Sequence, residues 1–413
     1  MNRTISSGPV VLVVAFPISV HSARWIGSVR RRGCRIVLFP SVIQPLCPEH
    51  EPVRTVTCRD EVEALEPGEI GVYPGDGIPT LTAADLENPE TYPHALPAFG
   101  FKPERQPTPD ALCDAIAAIK PDLLHSLELQ HAGYLVLECK ERYTGVFPPW
   151  LASSWGSDIF MYRKMKRHRP ILRRLVQEVD ALHSDCARDM AWAVNAGFEG
   201  IHFPQMPATA GMDFSDVPRL SELTRPSRRK TILVKGYHGW SGRGLHILLA
   251  LHLIAPQLKG FRIRVTHCPR PVKEMVERLA CVDGLDISAD PHLASHREAL
   301  ARLETARVVV GYGISDGIST TLLEAMTMGA FMVQANTCCG DEWITDRHTG
   351  LIVPPHDVVA LSEAILLAAT NDELVDRAMA INRRVVEERW NADTNGARID
   401  RTYRDLVTDL THA

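Results

Sequence analysis

The strongest constraint on the fold is an alternation: short, unbroken runs of β-branched and other apolar residues separated by longer amphipathic segments. Val10 to Ala15 reads Val-Val-Leu-Val-Val-Ala, with no polar position on either face, and ends at Phe16-Pro17. Arg24 to Arg32 reads as a helix, Cys34 to Phe39 repeats the buried-strand pattern, Asp110 to Ile119 is a second helix and Asp122 to His125 another strand. Strands apolar on both faces and joined by helices belong to a parallel, doubly wound α/β sheet.

The pattern restarts in the second half. Thr231 to Val234, Phe261 to Val265, Arg307 to Val310 and Phe331 to Gln334 read as strands, with helices over Gly244 to Ile254, Ser295 to Thr305, Thr321 to Met328 and Val358 to Ala369. A chain of 413 residues suits two such cores. We expect an N-terminal Rossmann-like domain over 1–215, a second one over 216–389, and a C-terminal helix over 390–413. Pro218 to Arg229, polar and basic, reads as the linker, and 45–107, rich in Pro, Gly and Glu, as loops and short elements. Two doubly wound domains facing each other leave a cleft, where ligands meet the carboxyl ends of the strands.

Composition removes several classes. A net charge of −5 gives no basic surface for nucleic acid. The run Pro9 to Phe16 is too short to span a bilayer and lacks a signal-peptide cleavage site, so a cytoplasmic protein is expected. No two of the ten cysteines are spaced as C-x-x-C, which argues against a zinc site. Ala15-Phe-Pro-Ile after the first strand offers no G-x-G-x-x-G, which disfavours a Rossmann dehydrogenase.

The richest segment is Gly311-Tyr-Gly-Ile-Ser-Asp316-Gly-Ile-Ser-Thr-Thr-Leu-Leu-Glu324-Ala-Met-Thr-Met-Gly329. A small-residue loop running into a helix offers unpaired N–H groups and a partial positive charge to phosphate. Flanking carboxylates suit hydroxyls instead. Thr321-x-x-Glu324 also fits a capping box. The whole run, with Cys339-Gly340-Asp-Glu342 and Thr349-Gly350-Leu-Ile-Val-Pro-Pro355 after it, resembles the E-x7-E region of GT-B glycosyltransferases, specifically family 4 and its relatives. The resemblance implies that Asp316 binds the transferred sugar, Glu324 the ribose, and Gly317, Ile318, Ser319, Thr320 and Thr321 face sugar and phosphates. Asp316 stands where the family has Glu.

Lys235-Gly236-Tyr-His238-Gly-Trp-Ser-Gly242-Arg243-Gly244 is a glycine-rich loop between a strand and a helix, where a cation and a helix N-terminus can neutralise a departing diphosphate. It resembles the family's G-R-x4-K-G region with Arg243-Gly244 at the Lys-Gly position. Tyr237 replaces the usual Arg, leaving Lys235 or His238 to supply the missing charge. The alternative is a generic strand-to-helix turn. In the first half, Ser153-Ser-Trp155-Gly-Ser-Asp158 resembles the family's H-G-x-D stretch with Trp155 in place of His, which implies acceptor-side contacts. A wall-packing Trp155 and a helix-capping Asp158 are the bland readings.

His21, Arg24 and Trp25 follow the first strand, and His125 and His131 flank a later strand end, so His21, His125 and His131 are candidate acceptor-side bases, with Arg24 a further acceptor-side candidate. Basic residues cluster at Arg163 to Arg169 with Arg173 and Arg174, and at Arg30 to Arg32 with Arg35. They form a solvated face or attract an anionic membrane surface or lipid-linked acceptor.

The resemblance implies a retaining, metal-independent transfer of a hexosyl unit from a nucleoside diphosphate sugar, UDP or GDP, to a hydroxyl, with no cofactor beyond the donor. Catalytic roles fall to Arg243, Asp316 and Glu324. The rival readings are a non-catalytic nucleotide-sugar-binding protein or partner subunit, and a nucleotide-sugar epimerase. The final helix, with Ile399, Tyr403, Leu406 and Val407 on one face, is expected to return to the first domain.

Overall fold

The computed structural model describes residues 8–74, 107–291 and 295–411. It forms two compact units, one of residues 1–212 with 392–413, the other of residues 213–391.

The first unit is built on eight parallel strands: β1 Val10–Ala15, β2 Arg35–Pro40, β3 Val53–Thr55, β4 Ile70–Val72, β5 Leu123–Leu127, β6 Trp150–Ser154, β7 Ala181–Ser184 and β8 Ile201–His202. Their order is β3-β4-β2-β1-β5-β6-β7-β8. The apolar run of β1 is used on both faces, as its composition demands. Val10, Leu12 and Val14 pack with Leu112, Ala115 and Ile116 of the helix Pro109–Ile119. Val11, Val13 and Ala15 pack with Trp25, Ile26 and Val29 of helix α1, Val20–Val29.

Helix α1 begins before the expected Arg24 because Ser19 caps it, its hydroxyl accepting from the N–H groups of His21 and Ser22. The described part of 45–107 holds short elements, of which β3 and β4 extend the sheet at its edge. The remaining residues of that stretch, 75–106, lie outside the described ones.

The C-terminal helix, Ala392–Thr411, belongs to the first unit, and Ile399, Tyr403, Leu406 and Val407 are all buried there. A chain of hydrogen bonds runs from it through the core. Trp25 Nε1 donates to the Tyr403 hydroxyl (2.8 Å), which meets His125 Nδ1 (2.7 Å), and His125 Nε2 meets Ser153 Oγ (2.7 Å). Ser153 Oγ meets His183 Nδ1 (3.1 Å), and His183 Nε2 meets the Met206 carbonyl (2.9 Å).

An indole N–H only donates and a carbonyl only accepts, so with both imidazoles neutral each is the Nε2–H tautomer and each hydroxyl donates once along the chain. Burial holds His125 well below the usual histidine range, with His183 adding to it, and burial holds His183 down to about 4.

The second unit has six parallel strands: β9 Thr231–Lys235, β10 Arg262–Thr266, β11 Asp286–Ala289, β12 Ala306–Gly311, β13 Phe331–Ala335 and β14 Leu351–Val353. Their order, β11-β10-β9-β12-β13-β14, reverses direction between β9 and β12, and in open α/β sheets ligands bind outside the carboxyl ends of the strands at such a reversal. The stretch 218–229, expected to be a linker, is part of this unit. Ser227 donates to Asp376 from its N–H and hydroxyl, and Arg229 is buried among the carbonyls of Thr224, Ala306 and Met328. Arg229 is thus a buried donor to backbone carbonyls, while Arg219, Arg225 and Arg228 are exposed.

The neutral histidines make the fold acid-sensitive. The unfolded chain binds protons near pH 6.5 whereas folded His183 does so near 4, so stability is full above 6.5 and falls as pH drops from 6.5 to 4. Each such imidazole contributes a slope of up to about 1.4 kcal/mol per pH unit. Urea unfolding of the wild type across this range measures the slope. Tyr403→Phe strands Trp25 Nε1 and His125 Nδ1, and should lower stability by about 2 kcal/mol or more at pH 7.5.

Candidate functional site

In the second unit three loops meet at the carboxyl ends of adjacent strands. After β9, residues 238–243 form a tight hairpin in which Gly239 N–H donates to the Gly242 carbonyl (3.3 Å). This hairpin joins the loop after β12: Arg243 N–H donates to Tyr312 O (2.9 Å), and Ile314 N–H to Ser241 O (2.8 Å). The loop after β13 closes the group, with Thr337 Oγ1 donating to Gly313 O (2.7 Å) and Asp316 N–H to Thr337 O (3.3 Å).

The glycines serve this junction. A Cβ on Gly236 would lie 2.7 Å from Thr266 O, one on Gly242 2.4 Å from Tyr237 O, and one on Gly244 2.3 Å from Gly236 O. Approach of backbone to backbone is the reason these positions carry no side chain.

Helix α2, Thr320–Thr327, starts at this junction. Its C-terminus is closed by a Schellman turn, in which Gly329 (φ 71°) N–H donates to Met326 O and Ala330 N–H to Ala325 O. Two buried cations finish it: Arg383 Nη1 donates to Thr327 O (2.8 Å) and Arg229 Nη1 to Met328 O (3.0 Å). Cations at this end satisfy carbonyls and oppose the helix dipole. At the N-terminus the N-cap is Ser319, and its hydroxyl makes no capping bond. Thr321 is therefore the second helical residue, and the capping box Thr321-x-x-Glu324 does not form.

The predicted donor-side residues gather here with particular geometries. Glu324, one turn into α2, is buried and its Oε1 lies 2.7 Å from His296 Nε2. Asp316 is half-buried, and its Oδ1 accepts from Gly317 N–H (3.0 Å). Gly317, Ile318 and Ser319 are buried, while Thr320 and Thr321 are partly exposed at the helix start. Burial pushes the Cys338 thiol up to about 12, with the Asp316 charge adding and Lys235 opposing, so both charges lie near that sulfur.

Arg243 caps the helix Gly244–Leu253, and its Nη1 donates to the carbonyls of Gly239 and Gly242 (2.8 Å each), so the charge lies over its own hairpin. His238 does not supply a charge. Its Nδ1 accepts from Leu245 N–H (3.4 Å), and burial and Arg243 hold it below the usual histidine range, making it a neutral helix cap. His296 was not anticipated from sequence. The only signal was its position after Ser295, whose hydroxyl caps the next helix through Glu298 N–H (3.2 Å).

In the first unit the sheet order reverses between β1 and β5, and an aromatic cluster sits at those strand ends. The ring of Trp155 lies 5.5 Å from His21 and 6.5 Å from Phe16, and Phe16 lies 4.7 Å from His131. Trp155 Nε1 is buried with no partner among the described residues. Arg24 reaches Glu49 at 3.4 Å.

His125 is not an acceptor-side base. It lies inside β5, fully buried, with both nitrogens spent in the core chain. The histidine at the strand end is His131. Burial works against its charge, but the adjacent Glu128 carboxylate outweighs this and raises it above the usual range.

Glu128 itself has φ 77° and ψ 159°, a backbone region in which a non-glycine residue stores strain of order 1–3 kcal/mol. Its carboxylate offsets part of this by accepting from the N–H groups of Gln130, His131 and Ala132. Asp158 is not a helix cap but the second residue of the short helix Ser157–Phe160. Its carboxylate reaches back to Trp155 N–H (2.9 Å) and the Ser154 hydroxyl (2.8 Å), and burial pushes it up to about 7.

Residues 247–371 match the family model for glycosyl transferases group 1, and residues 110–186 match that for glycosyl transferase 4-like proteins. Among proteins of curated function, none matches this sequence. The fold is similar to that of sucrose-phosphate synthase from Thermosynechococcus elongatus, with a TM-score of 0.67 at 14% identity over 97% of this chain and 100% of that one. It is also similar to Anabaena HepE in complex with UDP and glucose (TM-score 0.66, 12% identity, 96% and 100% covered). A third similar structure is trehalose-6-phosphate from E. coli bound with UDP-2-fluoro glucose (0.64, 12%, 96% and 99%).

The packing of the glycine junction separates two substitutions in one hairpin. Gly244→Ala should lower the thermal midpoint by at least about 5 °C, since backbone must move to admit the Cβ. Gly239→Ala, whose Cβ would approach only Tyr237 at 3.8 Å, should be tolerated within about 1 °C. Differential scanning fluorimetry of both variants checks the contrast.

Proposed function

Because this chain is a GT-B glycosyltransferase of the group 1, family 4-like kind, we propose that it moves a hexosyl unit from a nucleoside diphosphate sugar to a hydroxyl acceptor with retention at the anomeric carbon. The observation that carries the reading is the polarity of α2. Its carboxyl end is occupied by Arg229 and Arg383, its amino end carries a serine that caps nothing, and Asp316 and Glu324 flank that end. Phosphate oxygens suit the amides at Ser319 to Thr321, and sugar and ribose hydroxyls suit the two carboxylates.

Arg243 and Lys235 are the side-chain cations for the departing diphosphate. Arg243 already lies at the hairpin and needs only to exchange two carbonyls for phosphate oxygens. With these cations the transfer runs without a divalent ion. In a front-face reaction the leaving phosphate takes the acceptor's proton, so no separate base is required. UDP is the donor nucleotide to test first, since the similar Anabaena and E. coli structures hold UDP or UDP-sugars, with GDP as the alternative.

The acceptor side is assigned to the first unit's strand-end cluster of His21, His131, Trp155 and Asp158, with Arg24 at its margin. A lipid-linked acceptor or anionic membrane surface is supported by one basic cluster only. Lys164, Lys166, Arg167, Arg169 and Arg173 are exposed, and Lys164 and Arg188 lie over the Phe160 ring at 3.8 Å. In the other cluster, Arg30, Arg32 and Arg35 are engaged with backbone carbonyls of their own unit. Among the described residues no helix is long and apolar enough to cross a membrane.

The test is a thermal-shift and nucleotide-release screen of UDP-, GDP-, ADP- and dTDP-sugars in EDTA. One nucleotide should stabilise the protein, and Glu324→Ala or Arg243→Ala should weaken its binding by about tenfold or more. Release should depend on added acceptor and be unchanged by EDTA within about twofold. Binding without release in any acceptor mixture would favour a non-catalytic binding protein, and donor turnover without acceptor an epimerase or hydrolase.

A further inference from the structure

We propose that His296 is a positioning residue for nucleotide recognition: it holds the Glu324 carboxylate in the orientation that receives the donor's ribose. The proposal rests on the reading that Glu324 is the ribose contact. The observation is the 2.7 Å approach of His296 Nε2 to Glu324 Oε1, across two successive helices on either side of β12. An ionised carboxylate only accepts, so the proton of this bond is on Nε2 and the imidazole donates.

The imidazole is itself held in place. His296 is the first residue of the helix His296–Thr305, whose start is set by the Ser295 cap, and Arg302 of the same helix is ion-paired with Asp290 beyond the end of β11. Glu324 is held as firmly, on a helix whose far end is fixed by Arg229 and Arg383. The bond therefore joins two helices that are each anchored by their own contacts.

A glutamate side chain has three rotatable bonds, and immobilising it on ligand binding costs affinity. An imidazole N–H on one oxygen fixes the carboxylate plane before the nucleotide arrives, and bidentate recognition of a vicinal diol depends on that plane. The His296 side chain is 31% exposed, so its removal opens no cavity in the core.

The test compares, on the full chain by calorimetry, UDP or GDP (whichever stabilises the wild type) with its 2′,3′-dideoxy analogue. Wild type should prefer the ribonucleotide by about tenfold or more, and Glu324→Ala should remove that preference. His296→Ala should also bring the two nucleotides to within about twofold while leaving dideoxy affinity unchanged. The double variant should lose nothing further, and His296→Gln, which retains an N–H in reach of Oε1, should keep most of the preference.

Full ribose preference in His296→Ala, or equal weakening of both nucleotides, overturns the proposal while leaving Glu324 as the ribose contact. A wild type with no ribose preference overturns the assignment of Glu324 and the role of His296 together.

Discussion

Everything at the proposed donor-side site depends on how the hairpin after β9 is tied to the loop after β12. Two backbone hydrogen bonds, Arg243 N–H to Tyr312 O and Ile314 N–H to Ser241 O, join segments about seventy residues apart, at the point where the order of the sheet reverses. Such bonds need main chain against main chain, and a Cβ on Gly313 would lie 3.0 Å from Ser241 O, while Gly236, Gly242 and Gly244 let the β9 loop fold closely on β10 and on itself. Once the loops are joined, the position of α2 follows. With two buried guanidinium groups and a Schellman turn on its carboxyl end, the amino end is where its uncompensated charge remains.

The first unit solves a different problem. Its core contains polar side chains that would be costly if unpaired, and the chain from Trp25 to Met206 pairs them with no charge at any point. Four strands or helices and the C-terminal helix are joined by this one chain of protons. Titratable groups suited to chemistry lie elsewhere, at the strand ends: His131 raised by Glu128, and Asp158 raised by burial. The strained backbone of Glu128 falls at the same place, next to the reversal between β1 and β5.

The parallel strands were legible because burial on both faces demands apolar residues throughout, as in Val10 to Ala15. The run from Asp316 to Glu324 was legible because loop, helix start and carboxylates are contiguous. His125 and His131 look alike in sequence, six residues apart, and only their depth tells a core residue from one at a strand end. His238 resembles a cation until its Nδ1 is seen to accept from a helix amide. Thr321-x-x-Glu324 fits a capping box until the N-cap is seen to be Ser319, two residues earlier.

By itself, the sequence determined the two doubly wound sheets, the segments that form the loops at their carboxyl ends, and the glycosyltransferase resemblance carried by those loops. These are properties of local pattern: period, composition and contiguous motif. Tertiary structure alone decided which side chains meet across helices, as His296 meets Glu324, which histidines are neutral, and which arginines are spent on carbonyls. Those outcomes depend on burial and on partners tens to hundreds of residues away, and a proton or a charge is placed by its surroundings in space, which no local pattern encodes.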